Sequence, residues 1–242
     1  MKMDILPWIQ LNLNVKIRNT SKKFYDQYLY KAEVFVPAGI MINSEGDMSK
    51  LLERRIAAMS YNFLSYNFGG SWKTRLNEEV KNRGRVEQLE YYRELKCKHS
   101  KLELKYRIEE PTLSLYSNDE QLLYDIVTKD PCPGRFRSIF RPANDDALEK
   151  LSRGEIIVKT PTVYNFKVLL SDKGISLEQR IQIYNYLSSL GDEVRITDGC
   201  REALHRSRYY NNIYFFIKDE SILLFLKIIA PDAISKIYSL TN

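Results

Sequence analysis

The sequence predicts an α+β protein of two lobes with a similar plan, in which antiparallel or mixed sheets pack against helices. Short segments alternate apolar and polar residues with the period of half-buried strands, and segments of helical spacing lie between them. An apolar segment followed by an amphipathic one occurs twice, at residues 113–126 and 213–231. Hairpin and turn signals outnumber crossover helices, which favours this class over a doubly wound parallel sheet.

The N-terminal lobe is predicted to cover residues 1–130. Residues 102–108 give its clearest strand, because leucine, tyrosine and isoleucine alternate strictly with charged residues there. A turn at Pro111 indicates that the next strand returns antiparallel as a hairpin. In chain order the predicted elements are strands at residues 11–18 and 28–36, helices at 51–68 and 76–98, strands at 102–108 and 113–116, and a helix after Asp119.

Residues 131–153 are predicted to connect the two lobes, because this part of the chain contains the one stretch that is dense in proline. The C-terminal lobe is then predicted to cover residues 154–242. Ser176, with Gln179 three residues later, fits a capping box at the start of a helix. The predicted elements are strands at residues 162–170 and 194–196, a helix from Ser176, a short basic helix at 200–207, and a strand and helix within 213–231.

Two features repeat between the lobes. Asp119 and Asp219 follow equivalent apolar segments, and each carboxylate would accept hydrogen bonds from the first turn of the helix after it. Residues 28–39 resemble residues 162–174, since both are tyrosine-bearing strands with a lysine on the polar side and a turn behind them. A duplicated ferredoxin-like lobe would account for this order, and coincidence is the alternative, because a single chain does not separate the two.

The composition is that of a folded soluble protein, with 44% hydrophobic and 28% charged residues. The longest apolar run contains Lys227 and is much shorter than a bilayer-spanning helix, so we predict no membrane partner. The first residues do not have the pattern of a secretion signal. Three widely spaced cysteines fit free thiols in a reducing cytosol. We therefore expect a cytoplasmic protein, in a host cytoplasm or a virion if the source is viral.

The net charge of +6 permits an anionic partner, and two clusters of arginine with aromatic residues are the candidate contacts. This pairing suits nucleic acid, because a guanidinium binds phosphate and a ring stacks on bases. Packing between the lobes is the alternative role for both clusters. The candidate nucleic-acid-binding residues are Arg135, Phe136, Arg137, Arg141, Arg206, Arg208 and Tyr209.

Basic residues of several strands would also form one sheet face if those strands are neighbours, as in RNA-binding sheets. Glu33, Glu103 and Glu109 would dilute the positive charge of that face. The RNP aromatic motif of RNA-binding sheets does not occur in the sequence. The basic residues concerned are Lys31, Lys105, Arg107 and Lys167.

Motifs for catalysis are weak or missing. The sequence contains no glycine-rich nucleotide-binding loop and no nucleophile elbow. His205 lies among arginines, where an imidazole would serve as a general base towards RNA, but a solvated histidine on a basic helix explains it better. Asp145 and Asp146 would hold magnesium in a nuclease, yet neighbours on a helix point in different directions. We predict no catalytic residue, no metal site and no cofactor.

Two resemblances bear on origin and function. Residues 214–219, with the leucine-rich helix after them and Pro231, resemble uncharacterised small proteins of bacteriophage genomes. This resemblance covers residues 213–242, includes no diagnostic motif and implies no functional residues. The order of two similar lobes also resembles that of CRISPR RNA-processing endoribonucleases. Their C-terminal glycine-rich loop has no counterpart between residues 213 and 242.

Three functions are left open by the sequence. The first is a non-enzymatic, virus-encoded protein that contacts nucleic acid through the candidate arginines. The second is a structural or assembly subunit of a virion, in which aromatic residues and arginines make protein contacts or self-assembly contacts. The third is a metal-dependent or histidine-dependent nuclease, for which His205 and Asp146 are the residues to test.

Overall fold

The computed structural model describes residues 4–54, 83–109, 111–171, 175–205 and 213–241. The chain forms two compact units, Met1–Ala143 and Asn144–Asn242. Both contain a sheet with packed helices, which confirms the predicted α+β class. The division falls inside the predicted connection, so residues 131–153 are not a linker. The first half of this stretch supplies a strand to the first unit, and the second half supplies a helix to the second.

The first unit is built on one mixed sheet of five strands. Its helices are α1 (Leu6–Leu11), α2 (Arg83–Lys98) and α3 (Glu120–Thr128), and its strands are β1 (Lys16–Asn19), β2 (Tyr30–Phe35), β3 (Lys105–Glu109), β4 (Thr112–Ser117) and β5 (Phe136–Arg141). Residues 48–54 are also helical. The strand order is β1-β5-β2-β4-β3. β1 runs parallel to β5, and the other neighbours are antiparallel.

The second unit also contains a mixed five-stranded sheet. Its helices are α4 (Asp145–Ser152), α5 (Leu177–Ser189), α6 (Asp198–His205) and α7 (Ile222–Ile229), and its strands are β6 (Ile156–Ile157), β7 (Phe166–Leu170), β8 (Val194–Ile196), β9 (Tyr214–Ile217) and β10 (Ile234–Thr241). The strand order is β6-β10-β7-β9-β8, with β6 parallel to β10 and the other neighbours antiparallel. None of the helices in the described parts of the chain combines the length and the hydropathy that a bilayer crossing requires.

The two sheets have the same topology. In the second sheet, β6, β7, β8, β9 and β10 take the places that β1, β2, β3, β4 and β5 have in the first. The parallel and antiparallel neighbours also correspond. In each unit, four antiparallel strands follow the βαββαβ order of a ferredoxin-like fold, and a short parallel strand is added at one edge. The units differ between the third and fourth strands, because two residues separate β3 from β4 whereas α6 lies between β8 and β9. The predicted similarity of the lobes is therefore confirmed at the level of topology.

Each sheet buries one face against its helices. Along β2, Tyr30, Ala32 and Val34 are buried and the residues between them are half-buried, as expected for a sheet covered on one side. Val168 and Phe215 lie in the corresponding core of the second unit. The helices that follow β4 and β9 close the cores with buried residues at matching positions, which are Leu123 and Ile126 in α3 and Leu223 and Leu226 in α7.

Both aspartates lie two residues after the end of their strand, as predicted, but only Asp119 is the N-cap of its helix, because α7 begins three residues after Asp219. Asp119 caps α3 by accepting hydrogen bonds from two backbone N–H groups of the first turn, at 2.9 and 3.3 Å. Asp219 accepts one from the backbone of Ser221 at 2.7 Å, and hydrogen bonding to Ser221 lowers the pKa of Asp219. The predicted capping box of Ser176 and Gln179 is also present, at the start of α5.

The beginning of the chain differs from the prediction. The expected strand at residues 11–18 is confined to β1, because the preceding residues form α1 and a turn. α1 has a proline in its first turn, where the missing N–H costs nothing. The buried ring of Trp8 lies 5.3 Å from the ring of Tyr124 and 5.2 Å from that of Phe136. This tertiary contact, and not the local alternation, decides the structure of the segment.

Candidate nucleic-acid interface

The face of the first sheet that the described helices leave uncovered carries the candidate site. Lys31, Glu33 and Phe35 alternate along β2 with the core residues, so their side chains lie on this uncovered side. Residues paired directly across neighbouring strands share a face. The pairing therefore extends the surface over all five strands, and we call it the open face of the first unit.

One row of paired residues crosses the whole open face and alternates cations with aromatic rings. Lys31 Nζ lies 4.9 Å from the ring centroid of Phe140 and 5.7 Å from that of Tyr116. Arg18 Cζ lies 5.3 Å from the centroid of Phe140. These cation–π contacts hold the charged groups at defined places on the sheet. From β1 to β3 the row consists of Arg18, Phe140, Lys31, Tyr116 and Lys105.

Two further aromatic rings, from the loop before β2, pack against this row. Phe24 and Tyr25 lie 5.5 and 5.0 Å from the ring of Tyr116. Tyr116 is consequently 5% exposed, whereas Tyr25 is 44% exposed and has Lys105 Nζ 3.5 Å from its ring centroid. Tyr25 and Asp26 have φ values of 53° and 58°, a left-handed conformation that is costly for residues other than glycine and recurs at ligand-binding loops. Tyr25 is thus the ring that this part of the face presents to solvent.

An open groove of about 570 Å³ adjoins the row and is lined by residues of β1, β2 and β5 and of the segments that precede β1 and β5. Four of its lining residues are cationic and one is a carboxylate. A polyanion would therefore meet a positive potential in the groove. The charged lining residues are Lys16, Arg18, Arg135, Arg137 and Glu33.

Glu33 is the carboxylate of the groove, and its neighbours favour the ionised form. Burial alone would raise the pKa of Glu33, but hydrogen bonds from Lys31 and Ser138 and the charges of Lys31 and Arg18 lower it overall. Both hydrogen bonds, from Lys31 Nζ and from Ser138 Oγ, are 2.5 Å long. Lys31 is partly neutralised within the protein as a result. The positive charge of the groove therefore comes mainly from β1 and from the arginines in and before β5.

Arg137 reaches the open face through an irregularity in β5. Glu33 and Val34 are adjacent in β2, but their partners Ser138 and Phe136 in β5 are separated by one residue. This is the arrangement of a β-bulge, and Arg137 is the extra residue. Its Cζ lies 4.2 Å from the ring centroid of Phe35, and its Nη1 donates a hydrogen bond to Thr112 Oγ1 at 3.4 Å. An exposed guanidinium is thereby held against an aromatic ring of the sheet.

A buried polar network positions Arg135. Arg135 Nη1 donates to Gln88 Oε1 at 2.9 Å, and the side-chain amide of Gln88 donates to both carboxylate oxygens of Asp130, at 3.1 and 2.9 Å. The Tyr92 hydroxyl donates to the same carboxylate at 2.7 Å. Burial, together with the charge of Asp130, raises the pKa of Tyr92 well above its ordinary value, so the hydroxyl keeps its proton. The orientation of Arg135 is therefore set from within the core, by α2.

Two of the predicted contact residues belong to the core. Phe136 is 1% exposed, and its ring packs against that of Trp8. Arg141 is 2% exposed, and its Nε lies 3.1 Å from Glu120 Oε1, which also accepts a hydrogen bond from Trp8 Nε1 at 3.1 Å. Neither side chain is accessible to a ligand, so the prediction of nucleic-acid contacts at Phe136 and Arg141 is corrected.

The predicted basic sheet face exists in the first unit. Lys31 and Lys105 belong to the row described above, and Arg107 pairs with Ser114 in the next row of the open face. Lys167, which the sequence groups with them, lies in the second sheet. As predicted, acidic side chains reduce the positive charge of this face, and they are Glu33 and Glu109. The carboxylate of Glu109 forms an ion pair with Arg107 at 2.5 Å.

The other five predicted contact residues fall into two groups. Arg135 and Arg137 line the groove, whereas Arg206, Arg208 and Tyr209 lie outside the described residues. Sequence reasoning missed Lys16 and Arg18. Alternation already indicated that both lie on the polar side of a strand, but only the pairing of β1 with β5 brings them beside the arginines.

The residues considered for a nuclease have structural surroundings of their own. His205 lies at the end of α6, with its ring centroid 4.1 Å from that of Tyr184. Asp146 pairs with Lys150 at 2.9 Å, and Asp145 shares the first turn of α4 with it. Among the residues that the structure describes, no three histidine, cysteine, aspartate or glutamate side chains are grouped so as to hold a metal ion.

Comparison of the chain with models of known protein families, with curated proteins and with solved structures finds no match. The function proposed below therefore depends on the geometry of the open face.

Proposed function

We propose that the protein binds single-stranded nucleic acid without catalysing a reaction on it, and that the open face of the first unit is the contact surface. The observation that carries the proposal is the row in which cations and aromatic rings alternate across all five strands. A single strand presents phosphates and unpaired bases along its length, so its binding surface needs charged groups and rings within reach of each other.

The cations of the groove are suited to the phosphates. Lys16, Arg18 and Arg137 are all exposed. A guanidinium donates two parallel hydrogen bonds to a phosphate, and an arginine that is already held in place loses less conformational entropy when it does so. Arg137 meets that condition through its contact with Phe35.

The rings of the face are suited to unpaired bases. Tyr25 is exposed, and Phe140 is half-buried within the row. Base–aromatic stacking contributes about 1–3 kcal/mol per base. A duplex hides the faces of its bases, so this chemistry favours a single strand over a double helix.

Binding of labelled oligothymidylate and oligouridylate to the full chain, measured by fluorescence anisotropy at several salt concentrations, tests the proposal. Removal of one cation that binds a phosphate should reduce the slope of log K against log salt concentration by about 0.7 for a single strand. Arg18→Ala and Arg137→Ala should each do so. The matched control is Arg153→Ala, which removes the same charge from the C-terminal end of α4, where Arg153 pairs with Glu149. This control should leave the slope unchanged.

Tyr25→Ala should weaken binding with an unchanged slope, because stacking does not release counterions. Equal affinity of the unaltered protein at low and high salt would reject the proposal. The mass of the purified protein, measured by size-exclusion chromatography with and without nuclease, addresses the second function considered above. A large nuclease-resistant oligomer would support an assembly subunit, for which the exposed Leu224, Phe225 and Ile228 of α7 offer apolar surface.

A further inference from the structure

The face of the second sheet that the described helices leave uncovered repeats the row of the first. Phe216 pairs with Lys167 on one side and with Arg195 on the other. Lys167 also pairs with Tyr238 on β10. The row across β10, β7, β9 and β8 is therefore Tyr238, Lys167, Phe216 and Arg195, and cations and rings alternate in it as they do in the first unit.

The repeated residues occupy equivalent strands, so the two rows agree in position as well as in composition. β6 to β10 correspond in order and direction to β1 to β5, and each member of the second row has a counterpart of the same chemical class in the first. Tyr238, Lys167, Phe216 and Arg195 correspond in turn to Phe140, Lys31, Tyr116 and Lys105.

A tyrosine that contacts each row recurs as well. Tyr164 lies three residues before Lys167, as Tyr28 lies three residues before Lys31. The ring of Tyr164 is 6.2 Å from that of Phe216, and the ring of Tyr28 is 6.3 Å from its counterpart Tyr116. Packing of the core does not require cations on the uncovered face, because the buried side chains of each sheet point the other way. The recurrent cations therefore do not serve the packing of either core.

The strands of the second sheet differ from those of the first in carrying no carboxylate beside their cations. The described strands β6 to β10 contain Lys167, Arg195 and Lys236 and neither aspartate nor glutamate. Lys167 Nζ lies 3.8 Å from the ring centroid of Tyr214, and Lys236 Nζ lies 4.8 Å from that of Tyr238. As in the first unit, rings hold the cations at defined places on the sheet.

We infer that the second unit is a second binding face for single-stranded nucleic acid, in which Lys167, Arg195 and Lys236 contact phosphates and Phe216 and Tyr238 stack on bases. This inference rests on the function proposed for the first unit. A strand that occupies both faces is bound more tightly than either face binds alone, because the second contact is intramolecular. A short oligonucleotide occupies the two faces independently.

Stoichiometry separates one binding face from two. Native mass spectrometry and titration calorimetry of the full chain, with an oligothymidylate of about 8 nucleotides, should show two oligonucleotides per chain. Lys167→Ala with Arg195→Ala should reduce this number to one, and so should the charge-matched pair Arg18→Ala with Arg137→Ala. With a strand several times longer, either double variant should bind about 10²-fold more weakly than the unaltered chain. Lys167→Gln with Arg195→Gln serves as a second variant if the alanine pair lowers the melting temperature.

The outcomes distinguish the two proposals. One oligonucleotide per unaltered chain, with loss of binding confined to the first-unit variant, overturns the second face and leaves the proposed function standing. One oligonucleotide per chain, with loss confined to the second-unit variant, supports the second face and overturns the role of the first unit. Absence of binding by the unaltered chain overturns both.

Discussion

Arg137 and Arg141 lie four residues apart on β5 and have different roles because of what each side chain contacts. Arg137 is exposed on the ring of Phe35, whereas Arg141 is buried beside Glu120. A buried guanidinium needs a buried carboxylate, since an unpaired charge in the interior is very costly. The sequence does not separate the two arginines, because the partner of Arg141 comes from a different element. The structure leaves the side chain of Arg137 accessible and buries that of Arg141.

Arg141→Ala should destabilise the protein, because it leaves the buried Glu120 without its cationic partner. Breaking a buried pair on one side is expected to cost about 3–5 kcal/mol in the free energy of unfolding. Arg137→Ala is the matched control on the same strand and should change that free energy by less than about 0.5 kcal/mol. Urea denaturation followed by circular dichroism measures both. Equal destabilisation of the two variants would contradict the assigned roles.

Glu33→Gln should strengthen nucleic-acid binding, because it removes the negative charge of the groove and releases Lys31 from its partner. It should also weaken the fold at neutral pH. The folded state lowers the pKa of Glu33 below its ordinary value of 4.5, so its contribution to stability is complete above that value and is lost as the pH falls through the lower, folded pKa. The unfolding free energies of the two proteins should therefore converge in acid. A difference that stays constant from neutral pH to about pH 3 would refute this role.

At the scale of elements, β5 and the β3–β4 hairpin show what periodicity can and cannot predict. The hairpin strands alternate without interruption, and their predicted antiparallel pairing is confirmed. In β5 the extra residue Arg137 shifts the alternation by one place, so Phe136 and Ile139 are both buried although they are three residues apart. Flanking prolines then make the segment resemble a connection. The prolines and the bulge together hide this strand from sequence analysis.

Gln88 links α2 to the groove, and its role is to position Arg135. Gln88→Met should weaken binding of oligothymidylate, because it removes the acceptor that orients Arg135. The same substitution should have no further effect on affinity when Arg135 is already alanine, since the two residues act through one contact. A double-mutant cycle measured by anisotropy, with unfolding free energies recorded in parallel, tests this coupling. Additive decreases in affinity would show that Gln88 acts through stability alone.

At the scale of the whole molecule, the chain repeats one topology in two units with different connections. The sequence indicates this repeat through a local feature, because Asp119 and Asp219 follow equivalent strands. The strand order is not accessible in the same way, because it depends on pairing between segments far apart in the chain, such as β1 with β5 and β6 with β10. The matching rows of cations and rings appear only once that order is known.

Ultraviolet crosslinking of the full chain to oligouridylate, with the modified residues mapped by mass spectrometry, identifies the binding surface without substitutions. Crosslinks are expected at Tyr25 and Phe140, the accessible rings of the open face of the first unit. Tyr91 and Tyr124 lie on the helices that cover the opposite face and should stay unmodified. Crosslinks confined to that helical side, or none at low salt, would show that the open face is not where nucleic acid binds.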